Sequence, residues 1–174
     1  IGYPTTPEIT YGFGLSMGFK NWDISCFFRG SARCSFFIDS EQIAPFNNHP
    51  STPGSYTRKT ALFQAIADSY WSEEHRDIYA FWPRLSTESI KNNTQVSTWW
   101  MRDGSFMRLK SLELGYSFPQ QMIKKIHLTK LRLYANGTNL LTFSKFKLWD
   151  PEMGGLGVGY PNQRVINLGI QVDF

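Results

Sequence analysis

The chain of 174 residues is 41% hydrophobic, 16% aromatic and only 18% charged, with a net charge of +4. That suffices for one domain with a real core. The lack of any apolar run of about 18 residues excludes a transmembrane helix, and the lack of a Lys/Arg block argues against a nucleic-acid partner.

A mean hydropathy of -0.33 leaves a transmembrane barrel open, because its alternating strands average out. The aromatic load of 14 Phe, 8 Tyr and 6 Trp suits interfacial girdles or carbohydrate contact. The start, Ile1-Gly2-Tyr3-Pro4, has neither an initiator Met nor a charged segment ahead of an apolar one, so it reads as beginning within a longer polypeptide, without a signal peptide.

In chain order, the first predicted strand alternates Tyr11, Phe13, Leu15, Met17 and Phe19 with Gly12, Gly14, Ser16 and Gly18, a period of two. A face of glycines opposite a face of aromatics is wasteful in a soluble sheet and makes sense where that face lines a crowded or wet lumen. A turn at Lys20-Asn21 leads to a second strand, in which Trp22, Ile24, Cys26 and Phe28 alternate with Asp23, Ser25 and Phe27, with an extension toward Phe36. On one extended strand Cys26 and Cys34 would sit roughly 26 Å apart, beyond disulfide reach; both read as incidental apolar residues.

A long connection follows, from Ile38 to about Gln95. Pro45, Pro50, Pro53 and Gly54 break structure in it. From Ala61 to Trp71, residues Leu62, Phe63, Ile66, Ala67 and Tyr70 stand at helical spacing, predicting one amphipathic helix whose apolar side packs the loop onto itself. The third strand runs from about Ser105 to Phe118, with Leu112, Leu114, Tyr116 and Phe118 on one face. Pro119 ends it, and Gln120 to Ile126 is a short connector of about one helical turn. The fourth strand, about Leu128 to Phe143, sets Leu131, Leu133 and Ala135 against Arg132, Tyr134 and Asn136. After a second long connection, Ser144 to Gln163, the fifth strand alternates Ile166, Leu168, Ile170, Val172 and Phe174 with Asn167, Gly169, Gln171 and Asp173. At ~9–11 residues such a strand can cross a bilayer when tilted.

Short connections at one end and long loops at the other are the arrangement of outer-membrane barrels, and all five strand directions agree with it. The expected lipid face is Phe13, Leu15, Met17, Ile24, Leu112, Leu114, Leu131, Leu133, Leu168, Ile170 and Val172. The first and fifth strands are the expected outer strands of an open sheet, each needing a partner supplied by the rest of a cylinder.

Trp71, Tyr79, Trp82 and Trp149 are candidate contacts for a substrate or a surface lipoprotein, since aromatic faces stack on sugar rings. Trp99-Trp100 reads instead as an interfacial girdle. Asp103-Gly104 reads as a turn or bulge, and Asp150 and Glu152 as turn caps. Gly154 to Gly159 lacks the helix and Lys of a phosphate-binding loop and reads as a flexible loop. His49, His75 and His127 are dispersed, with no metal-ligand spacing. No catalytic set stands out, so neither an enzyme nor a cofactor is expected.

Several segments carry a resemblance: Tyr11-Gly12-Phe13-Gly14, Phe27 to Ala32, Phe81-Trp82-Pro83-Arg84-Leu85, Asp103 to Lys110, Leu112 to Tyr116, Leu131 to Tyr134, Gly137 to Leu140 and Trp149 to Glu152. Together and in this order they resemble the C-terminal part of the SusC/RagA family of TonB-linked outer-membrane transporters of Bacteroidetes. The resemblance implies an all-β fold: about five C-terminal strands of an antiparallel, up-and-down, plugged barrel of about 22 strands, with long extracellular loops. The plug and N-terminal strands would lie outside residues 1–174. It also implies a multi-pass barrel in the cell outer membrane, in contact with its lipid, that imports oligosaccharides or peptides. A SusD-like lipoprotein would lid it, and the TonB complex would act through the absent N-terminal region. The terminal Phe174 resembles the insertion signal that ends bacterial outer-membrane barrels. The alternative is a soluble β-sandwich that binds glycans, against which the glycine-lined aromatic strands argue.

Overall fold

The computed structural model describes residues 2–46, 48–49, 58–59, 61–87 and 90–174. Pro50, Pro53, Gly54 and the His49 side chain lie outside the described set. In chain order the elements are β1 (Ile9–Phe19), β2 (Trp22–Ala32), β3 (Ser35–Phe37), α1 (Ser40–Ile43), β4 (Asn48–His49), β5 (Arg58–Lys59), α2 (Gln64–Asp68), α3 (Lys91–Thr94), β6 (Met101–Asp103), β7 (Phe106–Ser117), α4 (Gln120–Ile123), β8 (Lys130–Ser144) and β9 (Val165–Asp173). They fall into two compact units. The first holds residues 1–35, 103–145 and 161–174, and the second holds 36–102 and 146–160.

The first unit is a single antiparallel sheet of five strands in the order β1-β2-β7-β8-β9. Its register unites the predicted apolar positions. Phe13, Leu15 and Met17 stand opposite Phe28, Cys26 and Ile24, and Ile24 and Cys26 opposite Leu114 and Leu112. Leu114 faces Ala135, and Leu131, Leu133 and Ala135 face Val172, Ile170 and Leu168. Directly opposed residues of antiparallel strands share a face, so all eleven expected lipid-facing residues lie on one side. That side is bare, with Phe13 at 54%, Ile170 at 67% and Leu168 at 82% exposure. A soluble sandwich would bury it.

The opposite side explains the glycines of β1. A Cβ built on Gly12 would come within 3.0 Å of the Phe27 ring, and one on Gly14 within 3.3 Å. The ring of Phe27 thus lies over the bare backbone of β1.

Strict alternation fails once in β7. Phe27 opposes Ser111 while Phe28 opposes Leu109, leaving Lys110 unopposed in a bulge. The Lys110 ammonium donates to Asn139 Oδ1 at 2.9 Å, and Asn139, at a left-handed φ of 53°, donates to the Gln163 carbonyl at 2.8 Å.

The Lys20-Asn21 turn, the connector from Ser117 to Lys130 and the end of β9 lie at one end of the sheet. Ser117 N–H donates to the Asn21 carbonyl at 2.8 Å, and Thr129 N–H to that of Asp173 at 2.9 Å. The connector is α4 followed by a 3₁₀ turn at Lys124–Ile126. β1 and β9 close the two ends of the strand order, so the expected open sheet is what forms.

The expected extension of the second strand to Phe36 is corrected. β2 stops at Ala32 because Arg33 turns left-handed, φ 55°, and β3 pairs instead with β6. Cys26 and Cys34 are both free thiols.

The second unit has its own core of Ile38, Ile43, Ala44, Ile66, Trp82, Trp100 and Phe146, with Phe36, Phe81, Leu85, Trp99 and Trp149 packed against it. Ile66 and Trp100 are fully buried. The predicted helix from Ala61 to Trp71 shrinks to α2, five residues long. It ends because Ser69 is taken by another segment: its hydroxyl accepts from Phe81 N–H at 2.9 Å and its carbonyl from Trp82 N–H at 2.9 Å. Trp71 N–H then donates to the Trp82 carbonyl at 3.0 Å. Non-local backbone bonds have overridden a local helical pattern. The girdle reading of Trp99-Trp100 is also corrected. Both indoles pack in this core, with Trp100 Nε1 donating to the Asn93 carbonyl at 3.0 Å and Trp99 Nε1 to that of Phe81 at 3.2 Å.

Candidate functional site

Two surfaces carry polar or concave chemistry, one in each unit. On the non-apolar side of the sheet, Asp23 of β2, Glu113 of β7 and Arg132 of β8 converge. Arg132 Nε donates to Asp23 Oδ1 at 3.1 Å, and its Nη2 donates to Asp23 Oδ2 and to Glu113 Oε1 at 2.7 Å. The guanidinium also lies 5.3 Å from the Tyr134 ring centroid. The cluster needs Gly115, since a Cβ there would stand 2.6 Å from the Asp23 carboxylate. One cation between two carboxylates leaves this patch of wall with excess negative charge. Nearby, Asn167 Nδ2 donates to Asn136 Oδ1 at 3.0 Å. These groups suit a wetted surface and would be untenable against hydrocarbon.

In the second unit, Ile43, Phe63, Gln64, Ala65, Ile66, Phe81, Leu148, Trp149, Gly157 and Val158 line a cavity of about 270 Å³. The Trp149 indole forms part of its wall. Its Nε1 donates to the Gly154 carbonyl at 2.8 Å, and its ring packs edge-on against Phe146 at 4.8 Å. A Cβ on Gly157 would come 2.6 Å from that ring. The glycine run expected to be a flexible loop is therefore packed. The space suits one apolar group better than a sugar ring, because Gln64, its polar side chain, already donates to Asp68 Oδ1 at 2.6 Å.

The sequence-predicted contacts do not form one constellation. Trp82 is buried, 3% exposed, and its ring stands 5.1 Å from that of Trp100. Trp71 and Trp149 are half-buried. Tyr79 is 87% exposed, on a turn fixed by its N–H donating to Asp77 Oδ1 at 2.8 Å. Phe174 is 91% exposed. The ion cluster escaped sequence reasoning, although Asp23, Glu113 and Arg132 all stood at the polar positions of predicted strands.

The turn readings of Asp103 and Asp150 hold. Asp103 Oδ1 accepts from Ser105 N–H at 2.9 Å, and Asp150 Oδ1 from Glu152 N–H at 3.0 Å. Partial burial would raise the Asp103 pKa, but the Ser105 hydrogen bonds and Lys145 at 3.4 Å outweigh it and hold the carboxyl below its ordinary value. Burial lowers the Arg102 pKa, and its guanidinium donates to the carbonyls of Trp99 at 2.7 Å and Met101 at 2.8 Å.

No family model matches the chain. It is 31% identical to the TonB-dependent receptor P26 of Formosa agariphila over 189 residues, covering all of this chain and 18% of that protein. It is 29% identical to the TonB-dependent receptor P3 of the same organism over 188 residues, covering 17% of it. The chain thus spans under a fifth of the length of the curated relatives it matches. Among solved structures it resembles the RagAB peptide importer in its open-open state, at 25% identity and a TM-score of 0.67. It also resembles the closed-closed state, at 26% and 0.69. Each match covers the whole chain and 18% of the other.

Proposed function

The chain is part of a TonB-dependent receptor of the SusC/RagA type, and from that premise we propose that its sheet is a wall segment of an outer-membrane nutrient importer. Residues 1–174 are then the C-terminal part of the barrel domain, with plug and earlier strands supplied by the remainder of the parent. The observation that carries this reading is the two-sidedness of the sheet, which has one continuous exposed apolar face and one face bearing Arg132, Asp23, Glu113 and the asparagines. The apolar face meets lipid and the polar face lines the lumen, as in transmembrane barrels. β1 and β9 pair with neighbouring strands of the parent, which removes the unpaired backbone groups that lipid forbids.

The cargo is an oligosaccharide or a peptide, admitted with a SusD-like surface lipoprotein and driven through TonB by the parent's N-terminal region. Of the four loop aromatics, exposed Tyr79 and half-buried Trp71 and Trp149 are proposed to meet cargo or lipoprotein, buried Trp82 serves to hold the loop that presents them, and Phe174 is proposed as the insertion signal. The named relatives support transport and not enzymatic chemistry. The test is fractionation of the full-length protein expressed in its host. Recovery with the outer membrane is expected; recovery in the soluble periplasmic fraction would sink the reading.

A further inference from the structure

The short-connection end of the sheet sets an aromatic row, the girdle position of a barrel wall, beside a group of exposed cations that the wall itself does not require. The row crosses it on the apolar face. Phe19 opposes Trp22, Trp22 lies 4.8 Å from Tyr116, and Tyr116 lies 5.1 Å from Phe118. Lys20, beside this row, holds its ammonium 5.4 Å from the Phe19 ring centroid. It does so from a left-handed backbone, φ 54°, a conformation that Gly or Asn adopts more cheaply. The chain leaves the row at Phe118 into the connector, where Ile123 is anchored at 2% exposure while Met122 in α4 and Ile126 in the 3₁₀ turn are each 60% exposed. Lys124 and Lys125 between them are exposed too, as is His127 at the turn. The carboxylate side chains of this end do not neutralise them. Asp23 and Glu113 are held by Arg132 on the polar face, and Asp173 stands opposite Lys130 on that same face.

We propose that this rim binds the anionic phosphate headgroups of glycerophospholipid in the leaflet it meets. The ammonium groups of Lys20, Lys124 and Lys125 take the phosphates. The aromatic row, Met122 and Ile126 lie at the boundary between headgroups and acyl chains, where amphipathic rings and interfacial helices settle. The inference rests on the membrane reading above. Charge complementarity and continuity of the aromatic row with the exposed apolar face of the sheet select a lipid surface as the occupant.

The test uses the full-length protein in vesicles of phosphatidylcholine with or without phosphatidylglycerol, reading lipid retained in native mass spectrometry and the shift in unfolding temperature. The wild type should retain phosphatidylglycerol preferentially and be stabilised by it, less so in high salt. The triple variant Lys20→Gln, Lys124→Gln, Lys125→Gln should lose roughly a hundredfold in phosphatidylglycerol affinity, from about a kilocalorie per lysine. The charge-keeping triple variant Lys20→Arg, Lys124→Arg, Lys125→Arg should retain the effect, which separates headgroup binding from misfolding. Equal retention by wild type and the glutamine variant, or a shift produced by lipopolysaccharide phosphates and not by phosphatidylglycerol, would overturn the proposal. Failure to insert into either vesicle would overturn the membrane reading itself, and this inference with it.

Discussion

Arg132 on β8 reaches across β7 to Asp23 on β2, a partner 109 residues away in the chain, and holds Glu113 of β7 on the way. One guanidinium therefore ties three strands in register on the polar face. The side chains are partly exposed, so the network is worth less than a buried one. Arg132→Ala leaves two carboxylates facing each other and should destabilise the protein by about 1–2 kcal/mol. Urea unfolding in vesicles measures this. Adding Asp23→Asn and Glu113→Gln to the same variant should recover most of the loss, and no recovery would mean the arginine acts through its packing on Tyr134 alone.

Arginine at Leu114 or Ile170 should destabilise the barrel by ~2–4 kcal/mol where these residues lie near the midplane. Arginine at Ser16, which faces Ser25 on the opposite side of the sheet, should be nearly neutral. The contrast is read from unfolding midpoints of the reconstituted full-length protein, and equal penalties on both sides would reverse the assignment of faces.

Gly157→Ala should loosen the second unit by about 1–3 kcal/mol, because the methyl has nowhere to go but into the Trp149 ring. Gly18→Ala, whose new Cβ would meet its nearest neighbour at 3.9 Å, should be tolerated. Limited proteolysis of the loops and tryptophan fluorescence report the first change, and equal behaviour of the two variants would refute the packed reading of the glycine run.

Asp103 titrates below its ordinary value in the folded chain. A depressed carboxylate stabilises the fold fully above its unfolded pKa of about 3.9, and the contribution is lost as pH falls through the lower folded value. Asp103→Asn should flatten that acid-side loss of stability and leave neutral-pH stability lower, as urea midpoints across the acid range will record.

The strands were legible because each residue of a half-wet sheet declares its side by polarity, so Leu131 and Leu133 needed no neighbour to be placed. Alternation also carried the strand directions, since Lys20-Asn21 and Pro119 punctuate plainly. The loops were less legible. Leu62, Phe63 and Tyr70 keep helical spacing, yet the Ser69 hydroxyl is claimed by Phe81 N–H and its carbonyl by Trp82 N–H, bonds that no local pattern encodes. Trp99 and Trp100 misled for a related reason, as tryptophan serves a girdle and a core equally well and only burial tells them apart. The ion cluster lay between segments far apart in sequence, where single-strand periodicity is silent.

Lys110 is the residue that the period of two in β7 does not count. Because it is set aside in the bulge, Leu109 and Leu112 reach the same face although three positions separate them. In coding terms, β7 has one codon it can drop without exchanging outside for inside. Loss of Lys110 would leave Met107, Leu109, Leu112 and Leu114 in unbroken alternation. Deletion of Glu113, by contrast, would turn one half of the strand over against its neighbours. Length variants of this strand should thus survive at Lys110 and fail at Glu113.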